Sequence, residues 1–247
     1  MNTSIVGIAI AVLSVLLAIF IEGASLLAFL KPSSILLILG GTIGATFASY
    51  SLSEVNHFRI HFFEAMGIQT RIDLIKIFNK FIEIARKDGL LALEDEIRKI
   101  PHPFLAKGIK LVVDGSDPRT LEEILMEYAD EQEADESTSA RILDTAGGYS
   151  PTVGIIGTVL GLVHVLENLG AGTAALGEGI ATAFIATFYG IAFANLVFLP
   201  LGNKLRSYAK SKSKERHAII RGIVSLQAGE NRRILIERME PFIEQKD

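Results

Sequence analysis

The chain has no cysteine, which excludes a disulfide framework and a thiolate metal site. It also lacks Asp, Glu, Lys and Arg over four long stretches, residues 3–21, 34–53, 146–166 and 179–203. Each is close to or above the roughly 20 residues with which a helix crosses about 30 Å of hydrocarbon. The stretches contain no carboxylate, so an ion crossing beside them must meet a titratable or coordinating acid from another chain. A formal charge of −4 on 247 residues gives no electrostatic footprint for nucleic acid. There is no Gly-rich phosphate loop, no nucleophile elbow, no HExxH and no dense cluster of His and acids. An enzyme is therefore not expected. Strand patterns and solenoid-length repeats are missing as well.

What is present is an all-α integral membrane protein, with mean hydropathy +0.39. The expected plan has four transmembrane helices. Residues 1–53 form a peripheral, lipid-facing hairpin, and 54–145 a helical cytoplasmic segment. Residues 146–203 form two packed helices of the membrane interior, and 204–247 a cytoplasmic tail. The first apolar run reads as a retained helix rather than a signal peptide, because no basic residue precedes it and another apolar segment follows closely. Of the 24 Lys and Arg, 12 lie in 54–145 and 11 in 204–247, leaving only Lys31 elsewhere. By the positive-inside rule both segments, and both termini, are cytoplasmic.

In the cytoplasmic segment, Ile72, Leu74, Ile75, Ile77, Phe78, Phe81 and Ile82 recur at helical spacing. Gly89 interrupts before a second stretch, Leu90 to Ile100, which Pro101 and Pro103 stop, and Asp114 to Pro118 reads as a turn. An acidic helix, Leu121 to Ser137, holds eight carboxylates and reads as a solvated face. In the tail, Ile219, Ile220, Ile223 and Leu226 predict a helix packing on this segment.

The membrane stretches differ in their small residues. The third carries Gly147, Gly148, Gly154, Gly157 and Gly161, and the fourth Ala181, Ala183, Ala186, Gly190 and Ala192. Both predict close helix packing. Pro151 reads as a first-turn proline of the third helix, where its missing N–H costs little. Pro200 falls near the end of the fourth helix and would free the Leu196 carbonyl, predicting a kink or hinge. Thr158, on the face of Pro151, either bonds back to its own helix or lines a hydrated cation path, and Thr187 poses the same choice. His164 reads as an interface anchor, and His57 and His61 lack further ligands for a metal.

The run Ala146 to Leu166, with Tyr149-Ser150-Pro151-Thr152-Val153-Gly154, and the run Ala183 to Leu205 resemble the MotA/PomA family, ring subunits of the bacterial flagellar stator. The segment Ala85-Arg-Lys-Asp-Gly-Leu-Leu-Ala-Leu-Glu94 looks like that family's rotor-facing motif, and the resemblance covers essentially the whole chain. It implies a pentamer in the bacterial inner membrane around two copies of a MotB-type partner. The partner's membrane Asp carries the ion, and the rotor protein FliG receives the push. Carried over by position, Arg86 and Glu94 meet the rotor, and share a face if Gly89 leaves the helix unbroken. Pro151 and Pro200 couple conformational change, while Thr158 and Thr187 line the ion path. No tightly bound cofactor is implied, only a transported ion. Thr158 matches the sodium-driven members, where proton-driven ones carry Ala, so sodium is the expected ion and proton the alternative. Gly148 stands where enterobacterial members carry an acid. Two other readings are an ExbB/TolQ-like channel subunit, which usually has three membrane helices, and a scaffold that conducts nothing.

Overall fold

The computed structural model describes residues 3–67, 72–168, 170 and 173–243, and every regular element among them is helical. The helices are α1 (Thr3–Ile21), α2 (Leu26–Phe29), α3 (Pro32–Ala48), α4 (Leu52–Met66), α5 (Leu74–Asp88), α6 (Glu94–Ile97), α7 (Pro103–Val113), α8 (Pro118–Glu167), α9 (Thr173–Phe193), α10 (Leu199–Gln227) and α11 (Arg232–Met239). A π turn, Ala194–Phe198, joins α9 to α10. Two compact units divide the chain, one of Met1–Gly67 with Glu136–Arg206 and one of Ile68–Asp135 with Ser207–Asp247.

In the first unit, Pro118–Glu167 and Leu176–Gln227 contain windows long and apolar enough to cross a membrane. Ile5–Ile21 is apolar but shorter. The second apolar stretch, expected as one helix over 34–53, is broken. The α3 helix ends at Ala48, and α4 leaves at a bend of 118°. The cause is local: Ser51 starts a new helix, its hydroxyl accepting from the Glu54 N–H while the Glu54 carboxylate accepts from the Ser51 N–H.

A second correction concerns Pro151. The acidic segment Leu121 to Ser137 and the third apolar stretch are one 50-residue helix, α8, with Pro151 in its interior. Pro151 therefore does not occupy a first turn, and it withdraws a donor from the Gly147 carbonyl four residues back. Likewise, the fourth apolar stretch runs through the π turn into the basic tail without a loop.

The second unit has its own core. Phe78, Phe81 and Ile82 of α5, Leu105 and Ile109 of α7, and Leu121 and Leu125 of α8 are buried with Ile219, Ile220 and Ile223 of α10. The tail thus packs where its apolar rhythm predicts. At Gly89, φ of +85° ends α5, a conformation glycine adopts without a side-chain penalty. Leu90–Leu93 follow as a 3₁₀ turn and α6 as a single helical turn, in place of one stretch to Ile100.

Glu215 sits in this unit against Lys212 at 2.9 Å and His102 at 3.8 Å. Burial alone would raise its pKa, but the nearby His102 imidazole and the hydrogen bond from the Lys212 ammonium overcome that and hold it at about 2. A depressed carboxylate stabilises the folded state above its unfolded value, 4.5, and loses that contribution as the pH falls toward about 2. Unfolding of the detergent-solubilised protein should therefore show on the order of 2–3 kcal/mol of acid-dependent stability in that window. Glu215→Gln should flatten the dependence; an unchanged pH profile in that variant would remove the pairing from the stability of the unit.

Candidate functional site

In the first unit α8 and α9 approach main chain to main chain, and the contact is made by glycine and alanine. A Cβ on Gly190 would lie 2.7 Å from the Ser150 carbonyl oxygen and 3.0 Å from the Gly154 Cα. One on Gly154 would lie 3.2 Å from the Ala186 carbonyl oxygen and 3.3 Å from the Gly190 Cα. Gly157 faces Ala186, and Gly161 faces Ala183. The three pairs run antiparallel, from Gly154 to Gly161 in one helix and from Gly190 back to Ala183 in the other, so small residues face small residues along the whole contact. The Ser150 hydroxyl, fully buried, donates to the Gly190 carbonyl at 2.9 Å.

This closeness brings together the two threonines singled out from the sequence. The hydroxyls of Thr158 and Thr187 are directly hydrogen-bonded. The Thr158 oxygen also lies 3.0 Å from the Ala183 carbonyl and 3.2 Å from that of Gly154. Four oxygens therefore converge, two hydroxyl and two carbonyl, with both threonines half-buried. One hydroxyl hydrogen can satisfy only one carbonyl at a time, so the Thr158 group is over-supplied with acceptors. Such a cluster can act as an internal zipper between helices. It can equally turn its lone pairs to a hard cation, which prefers oxygen ligands.

Pro151 and Pro200 both bear on neighbouring backbone. Pro151 releases the Gly147 carbonyl, and a Cβ at Gly147 would lie 2.7 Å from the Leu199 side chain and 3.7 Å from Phe198 Cβ. Phe198 closes the π turn, and Pro200 is the second residue of α10. Where a kink or hinge is expected at Pro200, the helix carries that π turn just before the proline, and Phe198 and Leu199 lie against Gly147, whose carbonyl Pro151 leaves without its helix donor.

Arg86 and Glu94 are both exposed, and among the described residues neither side chain makes a hydrogen bond or ion pair. They do not share one helix face. Arg86 is in the last turn of α5 and Glu94 begins α6, with the left-handed Gly89 between. His164 is exposed and its ring lies within hydrogen-bond reach of the Asn168 amide, and the His61 Nδ1 lies 2.9 Å from the Ser139 hydroxyl. Among the described residues no three His, Cys, Asp or Glu could hold a metal.

Two features escaped the sequence reading. Lys31 pairs with Glu178 at 3.0 Å, at a cavity of about 650 Å³ that reaches His164, Thr182, Gly157 and Ala186. Its signal was available, since Lys31 is the only basic residue outside the two charged segments. Asp144, just outside the third apolar stretch, pairs with Arg206 beside Gly202.

A family model described as the MotA/TolQ/ExbB proton channel family matches residues 96–218, and one described as Motility protein A N-terminal matches residues 5–89. Motility protein A of Bacillus subtilis is 32% identical over 250 residues, spanning 100% of this chain and 92% of that protein. Among solved structures, C. jejuni MotAB superposes with a TM-score of 0.92 at 28% identity, over 99% of this chain and 96% of that one. The flagellar MotAB stator complex of Bacillus subtilis gives 0.89 at 30% identity, over 98% and 96%.

The helix contact is testable without any functional assay. Gly190→Ala places a methyl against main-chain atoms that cannot retract and should destabilise the purified protein by about 1–3 kcal/mol. Gly148→Ala, whose added methyl meets nothing within 4 Å, should not. Equal melting temperatures for the two variants would show that α8 and α9 tolerate separation.

Proposed function

We propose a function from one established premise: the chain belongs to the motility protein A family. It is a stator subunit of the bacterial flagellar motor, which couples ion flow through a complex with a MotB-type partner to torque on the rotor. The observation that carries this is the full-length relationship, joined to what α8 and α9 offer. They bring four oxygens together and have no carboxylate from Ala146 to Leu166 or from Gly179 to Asn203. An ion that needs a negative charge must find it on the partner. The match of residues 5–89 to a motility-protein segment favours this over an ExbB/TolQ-like role.

The finer reading goes further. The protein sits in the inner membrane with four crossings and both termini cytoplasmic. The supporting observation is that all Lys and Arg except Lys31 lie in the two charged segments. The α1 helix exposes Ile5, Leu13, Phe20 and Ile21, as a peripheral lipid-facing helix would. Five copies surround two partner helices, α8 and α9 facing inward. Thr158 and Thr187 line the ion path, and the carried ion is sodium, with Thr158 supplying one of several oxygen ligands around the partner's Asp. Pro151 and Pro200 couple ion passage to movement, which the contact of Gly147 with Leu199 supports. Arg86 and Glu94, both solvent-facing and unpaired among the described residues, meet the rotor protein FliG.

Swimming speed of cells carrying this protein and its partner should rise and saturate with external sodium at fixed pH, and Thr158→Ala should abolish that response. Speed indifferent to sodium but collapsed by a protonophore would make the motor proton-driven and Thr158 a packing hydroxyl. For the rotor contact, Arg86→Glu and Glu94→Lys should each impair motility while leaving the membrane level of the protein unchanged. Normal swimming in both at native expression would remove these charges from the contact.

A further inference from the structure

On the second unit, large apolar side chains are inside. Among its described residues, Ile234 is 39% exposed and Leu91 is 71% exposed, and no other large apolar side chain stands out comparably. The first unit exposes many such side chains, as lipid-facing surface requires, so exposure means little there. On the second unit, with its own buried core, Leu91 is the one large aliphatic side chain among the described residues that lies almost three-quarters in solvent.

The turn that carries Leu91 is built to display it. Gly89, at φ +85°, ends α5 and redirects the chain into the 3₁₀ turn Leu90–Leu93. A Cβ on Gly89 would meet nothing within 4 Å, so glycine is needed there for its backbone angle and not for space. Within the turn, Leu93 is fully buried and Leu90 packs against the core. Leu91 is thus held outward by its neighbours' burial, which removes most of the entropy a contact would otherwise cost.

Its surroundings are charged and unpaired. Glu96 is taken up by Lys80 and Lys99. The side chains of Arg86, Lys87, Asp88, Glu94, Asp95 and Arg98 are exposed and make no ion pair among the described residues. Exposed charges steer and orient a partner but contribute little free energy each. A contact made of these charges alone would be weak, whereas one preorganised aliphatic group entering an apolar socket adds a factor of ten or more in affinity.

We infer that Leu91 is the apolar anchor of the rotor contact. It seats in an apolar socket of the rotor protein, beside the charges that Arg86 and Glu94 present. This rests on the rotor-facing reading of Arg86 and Glu94 proposed above.

The test uses the complete stator complex at native expression in swimming cells, carrying Leu91→Ser, Leu91→Met or Arg86→Glu. The readouts are the number of complexes held at running motors, the membrane level of the chain, and ion conduction. Leu91→Ser should lower the number held about tenfold with membrane level and conduction unchanged, and Leu91→Met should restore it. If Leu91→Ser behaves as wild type while Arg86→Glu loses motility, the rotor contact stands and Leu91 is not its anchor. If neither variant has an effect, the rotor-facing reading fails and the inference with it. A fall in membrane level with Leu91→Ser would make Leu91 a structural residue and overturn the inference.

Discussion

Two helices in hydrocarbon gain nothing by hiding apolar side chains from lipid, so their association depends on how closely their backbones can come. In this protein the distance is set where Gly154 of α8 meets Gly190 of α9, main chain against main chain. The buried Ser150 hydroxyl reaches the Gly190 carbonyl only at that separation. The same closeness seats Gly157 against Ala186 and Gly161 against Ala183, so both helices are held in one register.

The register in turn decides the polar chemistry. Thr158 and Thr187 sit one residue beyond Gly157 and Ala186, and the tight contact brings their hydroxyls together with two carbonyl oxygens. Neutral oxygens can be kept between membrane helices at small cost, whereas an ionised carboxylate there is expensive unless it has a partner or water. Among the described residues the oxygens that this contact gathers are all neutral, two hydroxyls and two carbonyls, which is the form of polar group that a helix interface in hydrocarbon tolerates.

Much of this was legible in the residues. Charge-free runs marked the long apolar helices, and glycine and alanine content identified α8 and α9 as a packed pair. The 3.6 periodicity of Ile72 to Ile82 and of Ile219 to Leu226 found two sides of the second unit's core, which meet with Phe78 against Gly222. The errors have local causes. Gly147-Gly148-Tyr149-Ser150-Pro151 has the look of a helix start, but Gly147 is there to admit Leu199, and the acidic and apolar parts of α8 join without a break. Ser51 and Glu54 cap a new helix inside a run that hydropathy alone reads as continuous. The pairing of Lys31 with Glu178 links residues 147 positions apart, which no spacing rule reaches.

The π turn Ala194–Phe198 explains a pairing that ordinary helix counting would reject. Gly190 and Gly202 both face α8, the first against Ser150 and Gly154, the second against Leu143 and Asp144. Twelve residues of regular α-helix would rotate the second glycine about 120° away from the first. One inserted residue, which is what a π turn amounts to, leaves about 20° of rotation between them. The extra residue therefore acts as a phase correction. It lets one face of the α9–α10 rod follow α8 from the hydroxyl cluster down to Asp144, although the sequence spacing on its own is out of step.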